Sequence, residues 1–225
     1  MKKVGPQLSR LYQGTFLFGL ACGSSIALTS LYLDGKGFSK EQIGTLALFF
    51  AAGLVLFALP VGVILRRFSG KRTLTVMLLG YAFCVGAFPF MDSYSSIAGI
   101  RFLDGVFSVG VWVSSETLLL SRADKEHKAY LTSLYAVWLA SGYVVGPLLA
   151  MGIVKVLPIE HAFLIAGAFG LISSLYLGLR LPPDAPGAHA HGTDSVAADA
   201  SNGDAAEHGA VESSAAGKPQ LSAAS

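Results

Sequence analysis

The chain has 225 residues and a formal net charge of +2; 53% of its residues are hydrophobic and 13% are charged. A soluble domain carries about a quarter charged residues, so this composition excludes an ordinary soluble globular protein. Six of the 14 acidic residues fall after residue 181, which leaves the earlier part of the chain poorer still in charge.

Six apolar segments follow one another along the chain, and each is close to or above the ~20 residues that cross a ~30 Å hydrocarbon layer as a helix. They cover residues 11–33, 41–65, 73–91, 97–120, 131–157 and 162–181. We therefore predict an all-α polytopic membrane protein with six transmembrane helices. A signal peptide is the alternative for the first segment, but its apolar run continues to Leu33 and five more segments follow. Cys22 and Cys84 lie within segments, which favours small packing residues over a disulfide.

Basic residues are distributed unevenly between the predicted loops. With the N-terminus inside, twelve Lys and Arg residues fall on the inner side and three on the outer side, and Arg101 is left within a segment. The positive-inside rule therefore predicts cytoplasmic N- and C-termini, and we expect a multi-pass protein of the plasma (inner) membrane. This divides the chain into a cytoplasmic N-terminus at 1–10, a transmembrane domain at 11–181 and a tail at 182–225.

The tail is rich in Ala, Gly, Ser, Asp and His and has no aromatic residue. Such a segment buries too little apolar surface to offset its chain entropy, so we predict a disordered cytoplasmic tail or interdomain linker. Its scattered His189, His191 and His208 are interpreted as incidental rather than as metal ligands. We expect no metal site and no cofactor.

The fourth segment carries Arg101, Asp104 and Glu116, although each charge at the bilayer centre costs about 2.5–3.5 kcal/mol. On a wheel of about 100° per residue these three share one arc of roughly 120° with other polar or small residues. The other members of the arc are Gly105, Ser108, Trp112 and Ser115. Such an arc predicts a helix that lines protein or a water-filled cavity, with Arg101 and Asp104 close enough to pair. The alternative is that Arg101 extends to the outer interface, and Glu116 is similarly near the inner end.

The first and fifth segments carry small residues at helical spacing. In the first, a stripe of such residues either lines a polar path, with Ser25 and Thr29 as candidates, or lets another helix approach closely. The stripe consists of Thr15, Gly19, Cys22, Ser25 and Thr29. In the fifth, Gly142 and Gly146 form a GxxxG pair. Pro147 follows that pair and predicts a hinge, because it cannot donate a hydrogen bond within the helix.

The stretch GVILRRFSGKR, residues 62–72, forms a short basic connection between the second and third segments. Its basic residues are typical of an anchor to anionic lipid. They are Arg66, Arg67, Lys71 and Arg72. So short a connection also predicts a tight hairpin, in which Gly62 and Gly70 ease the approach and the turn.

Over residues 11–181 the chain resembles the N-terminal half of the major facilitator superfamily of secondary transporters. GFSKEQIGTL (37–46) is similar to the entry of helix two, and residues 62–72 occupy the place of the helix 2–3 signature loop. RFLDG (101–105) and GYVVGP (142–147) are similar to the motifs of helices four and five. The resemblance implies a six-helix half built from 3+3 repeats, in which residues 62–72 act in gating. Arg66 stands at the loop's usual aspartate and Ser69 at its glycine, which argues against the cytoplasmic latch that this aspartate is thought to form.

The family usually has twelve spans in two halves. Three explanations are open for a six-span chain: a truncated product, a protomer that dimerises, or one subunit of a split transporter. Because the halves of these transporters are related by an axis along the membrane normal, a parallel homodimer is geometrically possible. In such a dimer we expect Gly142 and Gly146 to contact helix two of the second copy, at Ala51, Ala52 and Gly53.

The resemblance implies a secondary transporter of a small solute that works by alternating access. Asp104 and Glu116 are the candidate proton carriers, and Arg101 either holds an anionic group or pairs with Asp104. The substrate is left open among sugars, organic ions, drugs and peptides. The alternative is a non-transporting membrane scaffold, a regulatory subunit or a truncated transporter half. An enzyme is not expected, because the sequence has no GxSxG, HExxH or P-loop motif. A nucleic acid partner is not expected either.

Overall fold

The computed structural model describes residues 6–123 and 125–182. Six helices account for most of this part of the chain, and each is long and apolar enough to cross a membrane. They are α1 (Pro6–Gly35), α2 (Lys40–Arg67), α3 (Gly70–Ala87), α4 (Tyr94–Arg122), α5 (Lys128–Val154) and α6 (Ile159–Arg180). The described residues contain no β-strand, so the all-α prediction with six membrane-length helices is confirmed.

The helices are longer than most of the predicted segments, because hydropathy marks only the apolar part of a membrane helix. Residues 6–10, predicted as cytoplasmic N-terminus, form the first turns of α1. The third segment, 73–91, covers α3 except for its first three residues, and it also covers a short 3₁₀ helix at Phe88–Phe90, where Pro89 stands in the sequence FPF. Residues 1–5 and 183–225, with the three tail histidines and Lys218, lie outside the described residues.

The helices pack in a pattern with internal symmetry. α1 packs against α5 and α6, α4 packs against α2 and α3, and α3 packs against α6. This set of pairs is unchanged when α1–α3 and α4–α6 are exchanged, as expected for two three-helix repeats. α1 and α4 are the most enclosed of the six helices, whereas α2 and α5 are the most exposed. Most of the buried polar side chains accordingly lie on α1 and α4.

Glycines make the closest helix contacts. A Cβ added at Gly142 would lie 2.6 Å from the Phe16 carbonyl oxygen, and one at Gly146 would lie 2.7 Å from that of Leu20. On α1, Gly19 and Gly23 meet the same stretch of α5. Two GxxxG pairs thus face each other, and the absence of side chains lets the two backbones approach.

The same arrangement corrects the predicted dimer contact. Gly142 and Gly146 are buried against α1 of their own chain, and Gly53 of α2 is buried against Gly105 of α4. These glycine faces are already occupied within the chain, so a second copy cannot pack on them. α5 also continues through Pro147 as one helix, and the Pro147 ring contacts α1 where a Cβ on Gly23 would lie 2.9 Å away.

The connection between α2 and α3 consists of Phe68 and Ser69. Both have extended backbone, with φ and ψ of −116° and 161° for Phe68 and −68° and 141° for Ser69, so the two residues of the turn itself do not require glycine. The Ser69 hydroxyl accepts a hydrogen bond from the Arg72 amide at 3.3 Å and caps α3. Gly62 lies within α2, and Gly70 is the first residue of α3.

This cap predicts unequal losses of stability for two substitutions at one position. Ser69→Ala removes the acceptor and should cost about 1 kcal/mol of unfolding free energy, whereas Ser69→Gly should cost only a few tenths. Unfolding of the purified protein in detergent measures the difference. Equal stability of Ser69→Ala and the unaltered protein would show that the hydroxyl does not cap α3.

Candidate functional site

Arg101 and Asp104 form an ion pair inside the helix bundle. The Arg101 Nη1 donates to Asp104 Oδ2 at 2.6 Å, and the two residues are 8% and 6% exposed. They are three positions apart on α4, a spacing that places both side chains on one face. Arg101 therefore points into the protein rather than out to the interface, which was the alternative left open by the sequence.

The guanidinium of Arg101 is also held by an aromatic ring. The ring of Phe50, on α2, lies 4.7 Å from the guanidinium carbon. A cation in this position is attracted by the electrons of the ring face. The contact fixes the guanidinium independently of the carboxylate, so Arg101 has two separate supports.

A small pocket adjoins the ion pair. Its volume is about 20 Å³, enough for about one water molecule. Five helices contribute to its wall, which is formed by Cys22, Ser25 and Ile26 of α1, Phe50 of α2, Tyr81 of α3, Arg101, Asp104 and Ser108 of α4, and Tyr143 of α5. Ile26 is 52% exposed, so the pocket reaches the surface of the bundle beside this residue.

Hydrogen-bonding capacity remains unused at the pocket. The buried Arg101 Nε and Asp104 Oδ1 make no hydrogen bond within the described part of the chain. Leaving such an atom unpaired in a protein interior costs about 1–3 kcal/mol, and more for a charged group. The ion pair is therefore held in a form that retains capacity to bind a further polar group.

The structure brings together some of the predicted pathway residues and separates others. Ser25 and Ser108 line the pocket with the ion pair. Thr29 is buried one turn further along α1, and its hydroxyl has no hydrogen-bond partner among the described residues. Trp112 is half-buried, and its indole N–H is likewise buried and unpaired within that part. Glu116 is exposed and does not line the pocket.

Polar residues beyond the pocket connect helices. The Ser115 hydroxyl lies 2.7 Å from that of Tyr135, which joins α4 to α5. Thr15, the first residue of the predicted stripe on α1, bonds its own helix at the Leu11 carbonyl and lines a separate cavity of about 10 Å³. Gly19 belongs to the α1–α5 contact. The stripe thus serves two purposes: Gly19 packs, and Cys22 and Ser25 line the pocket.

Phe50, Tyr81 and Tyr143 were missed by the sequence analysis. Each is an aromatic residue within an apolar segment, which is equally typical of lipid contact and of core packing. Cys22 was favoured as a packing residue, although it also belonged to the stripe that could line a polar path, and it lines the pocket. The available signal for Cys22 was its place on the polar stripe of α1, one turn before Ser25.

The basic residues of the gating-loop prediction lie at the two helix ends. Arg66 and Arg67 are exposed in the last turn of α2, where positive charge interacts favourably with the negative end of the helix dipole. Lys71 and Arg72 lie in the first turn of α3. None of the four lines the pocket beside the ion pair.

Comparison with known proteins points to one family. A family model described as Major Facilitator Superfamily matches residues 11–218. An uncharacterized MFS-type transporter of Enterobacter sp. (strain 638) is 25% identical over 167 residues, which are 74% of this chain and 42% of that protein. The solved structure of the human organic anion transporter MFSD10 (TETRAN) matches with a TM-score of 0.64 at 16% identity, over 82% of this chain and 50% of that chain. At this identity the match to the MFSD10 structure shows a shared fold alone. The chain spans about half the length of these two proteins.

Proposed function

Because the chain belongs to the major facilitator superfamily, we propose that it acts in secondary active transport, moving a small solute by alternating access with coupling to protons. The observation that carries the proposal is the buried Arg101–Asp104 pair, at a pocket where five membrane-length helices meet. Charges within a membrane domain are costly and mark ion or substrate pathways. A purely structural pair would be expected to use its hydrogen bonds fully, whereas Arg101 Nε and Asp104 Oδ1 have no hydrogen-bond partner within the part of the chain that the structure describes.

Asp104 is the proposed proton carrier. A carboxylate can lose its charge by taking up a proton, which releases its partner, whereas a guanidinium stays charged in proteins. Protonation of Asp104 would therefore free Arg101 to bind solute. Glu116 is exposed and outside the pocket, so we assign it at most a role at the end of the proton path.

In the proposed orientation the protein lies in the plasma (inner) membrane with both termini in the cytoplasm. It rests on the distribution of basic residues, twelve inside and three outside. Single cysteines placed at Lys36 and at Arg66 check it, because an impermeant thiol reagent should label the first from outside sealed cells and the second only after lysis. The reverse pattern of labelling would invert the topology.

A flux measurement tests the transport proposal. The protein is purified in mild detergent from its native membrane, so that any oligomer it forms there is retained. It is then reconstituted into vesicles with an imposed pH gradient. Uptake of radiolabelled neutral, anionic and cationic solutes is then compared for the unaltered protein and for Asp104→Asn and Glu116→Gln. We expect the pH gradient to drive uptake of at least one solute, and Asp104→Asn to abolish that drive.

Asp92→Asn is the matched control, because Asp92 is an exposed carboxylate that pairs with Lys36 at 3.5 Å, away from the pocket. It should transport as the unaltered protein does. Unchanged pH dependence in both pathway variants would count against proton coupling. Absence of any solute flux would contradict transport and favour the scaffold alternative.

A further inference from the structure

We propose that the pocket beside Arg101 and Asp104 takes the head group of a small organic monoanion, a monocarboxylate, together with one proton. The filled site then has the same net charge as the empty one. This inference deepens the proposed function and rests on it for its role in transport, but the binding step can be tested alone.

The starting point is the charge of the pocket. Among the residues that line it in the described part of the chain, only Arg101 and Asp104 belong to types that are charged at neutral pH, and they neutralise each other at 2.6 Å. Other titratable groups near the carboxylate come from three helices. They are Cys22 of α1, Tyr81 and Cys84 of α3, and Tyr143 of α5. Thiols and phenols are ordinarily neutral at pH 7, so any charge brought by a ligand has to be balanced by the ion pair.

The two members of the pair differ in how they can respond. A cation that binds Asp104 displaces Arg101, and the guanidinium cannot release its proton, so an uncompensated positive charge remains buried. An anion that binds Arg101 displaces Asp104, and the carboxylate removes its own charge by accepting a proton from the bulk solution, where the buffer replaces it. Since an unpaired buried charge is strongly unfavourable, the site selects an anion with a proton and rejects a cation.

The geometry of Arg101 fits a carboxylate. Its Nη1 is bound to Asp104, but its Nε has no hydrogen-bond partner among the described residues, so part of the planar donor set that carboxylates recognise is unused there. The ring of Phe50 at 4.7 Å supports the guanidinium when the Asp104 contact is lost. The arginine is therefore positioned to exchange one carboxylate for another.

The size of the pocket limits which part of the ligand enters. A volume of about 20 Å³ has room for about one water molecule, so the rest of the space for a carboxylate group comes from the displacement of Asp104 from Arg101. The remainder of the ligand must extend past Ile26, which borders the pocket and is 52% exposed. The pocket thus fixes the charged end of the ligand and leaves the other end variable.

Titration calorimetry of the purified protein in detergent tests the inference. The probes are lactate, pyruvate and benzoate, their three amides, and choline. Repeating each titration in buffers of different ionisation enthalpy counts the protons taken up. We expect at least one carboxylate to bind with about one proton taken up per anion. Its affinity should fall by up to about tenfold per pH unit as the pH rises above the pKa of Asp104 in the unliganded protein. The amides and choline should bind at least about tenfold more weakly, because they lack a charge-assisted contact to Arg101.

Three variants separate the parts of the mechanism. Asp104→Asn should bind the same carboxylate without proton uptake and without pH dependence, because its amide has no charge to neutralise. Arg101→Gln should lose carboxylate affinity by about tenfold or more. Asp92→Asn should behave as the unaltered protein. Since the proton count is made on the unaltered protein, the inference can fail even if the two pocket variants do not fold.

The outcomes distinguish this inference from the proposed function. Binding of no carboxylate in the panel, or binding without proton uptake, overturns the inference. Flux of a neutral or cationic solute with no carboxylate bound overturns it while the transport proposal stands. Carboxylate binding with proton uptake but no flux supports the inference and contradicts transport.

Discussion

Gly105→Ala is expected to destabilise the protein by about 1–3 kcal/mol or more, through overpacking at the α2–α4 contact. A Cβ at Gly105 would clash directly with the Phe50 carbonyl oxygen and would lie 3.1 Å from the Leu54 amide nitrogen. Both are backbone atoms of α2, which cannot rotate away as a side chain can. The helices would have to separate, and Phe50 would move with α2. The proposed solute uptake driven by a pH gradient should therefore fall as well.

Gly99→Ala is the matched control for this substitution. Gly99 is on the same helix, and a Cβ there would meet nothing within 4 Å. Alanine is favoured over glycine in a helix interior by about 1 kcal/mol, a gain that both variants share. Thermal unfolding in detergent should therefore show Gly99→Ala at or above the unaltered protein and Gly105→Ala well below it.

The α1–α5 contact allows the same comparison to be repeated. Gly142→Ala would place a Cβ 2.6 Å from the Phe16 carbonyl oxygen and 2.8 Å from the backbone of Gly19. Gly152→Ala, on the same helix, meets open space. If each buried variant matches its exposed control, close backbone approach is not what these glycines provide.

The helices of this protein were predictable because hydropathy and length are local properties. The bilayer requires about 20 apolar residues per span, and all six apolar segments became helices. The partners of the helices were not predictable to the same degree. Gly142 and Gly146 were identified as a close-contact face, but spacing alone does not say whether the facing helix is α1 of the same chain or a second copy.

The candidate site was predicted from two of its walls. The polar arc on α4 identified Arg101, Asp104 and Ser108, and the stripe on α1 identified Ser25, because apolar surroundings make a polar side chain conspicuous. The arc also included Glu116, which is twelve residues from Asp104, or about 18 Å along the helix axis. Sharing a helix face is therefore not the same as sharing a pocket. The aromatic walls gave no signal, since Phe50 and Tyr143 suit lipid, core and pocket equally.

The buried ion pair leads to the second large effect. Asp104→Leu leaves Arg101 charged and without its carboxylate in an apolar interior, so we expect a loss of about 3–5 kcal/mol of unfolding free energy. Arg101→Leu should lose less, because the remaining carboxyl group can take up a proton. The Arg101→Leu, Asp104→Leu double variant should recover most of the loss, since replacing a whole buried pair by apolar residues is often neutral or stabilising.

Thermal and chemical unfolding of the four proteins in detergent forms a double-mutant cycle that measures this coupling. The exposed pair of Lys36 and Asp92, 3.5 Å apart, provides the control. Its Asp92→Asn variant should change stability little, because solvent screens exposed pairs. Additive effects of Arg101→Leu and Asp104→Leu would show that the two charges are not coupled.

The double variant also separates the function of the pair from its contribution to stability. If Arg101 and Asp104 were kept only to hold α4 in place, a protein with two leucines at these positions should fold and still transport. We expect it to fold and to show no solute uptake driven by a pH gradient, because it has neither a donor for an anionic group nor a carboxylate for a proton. A double variant that is both stable and active would remove Arg101 and Asp104 from the proposed transport mechanism.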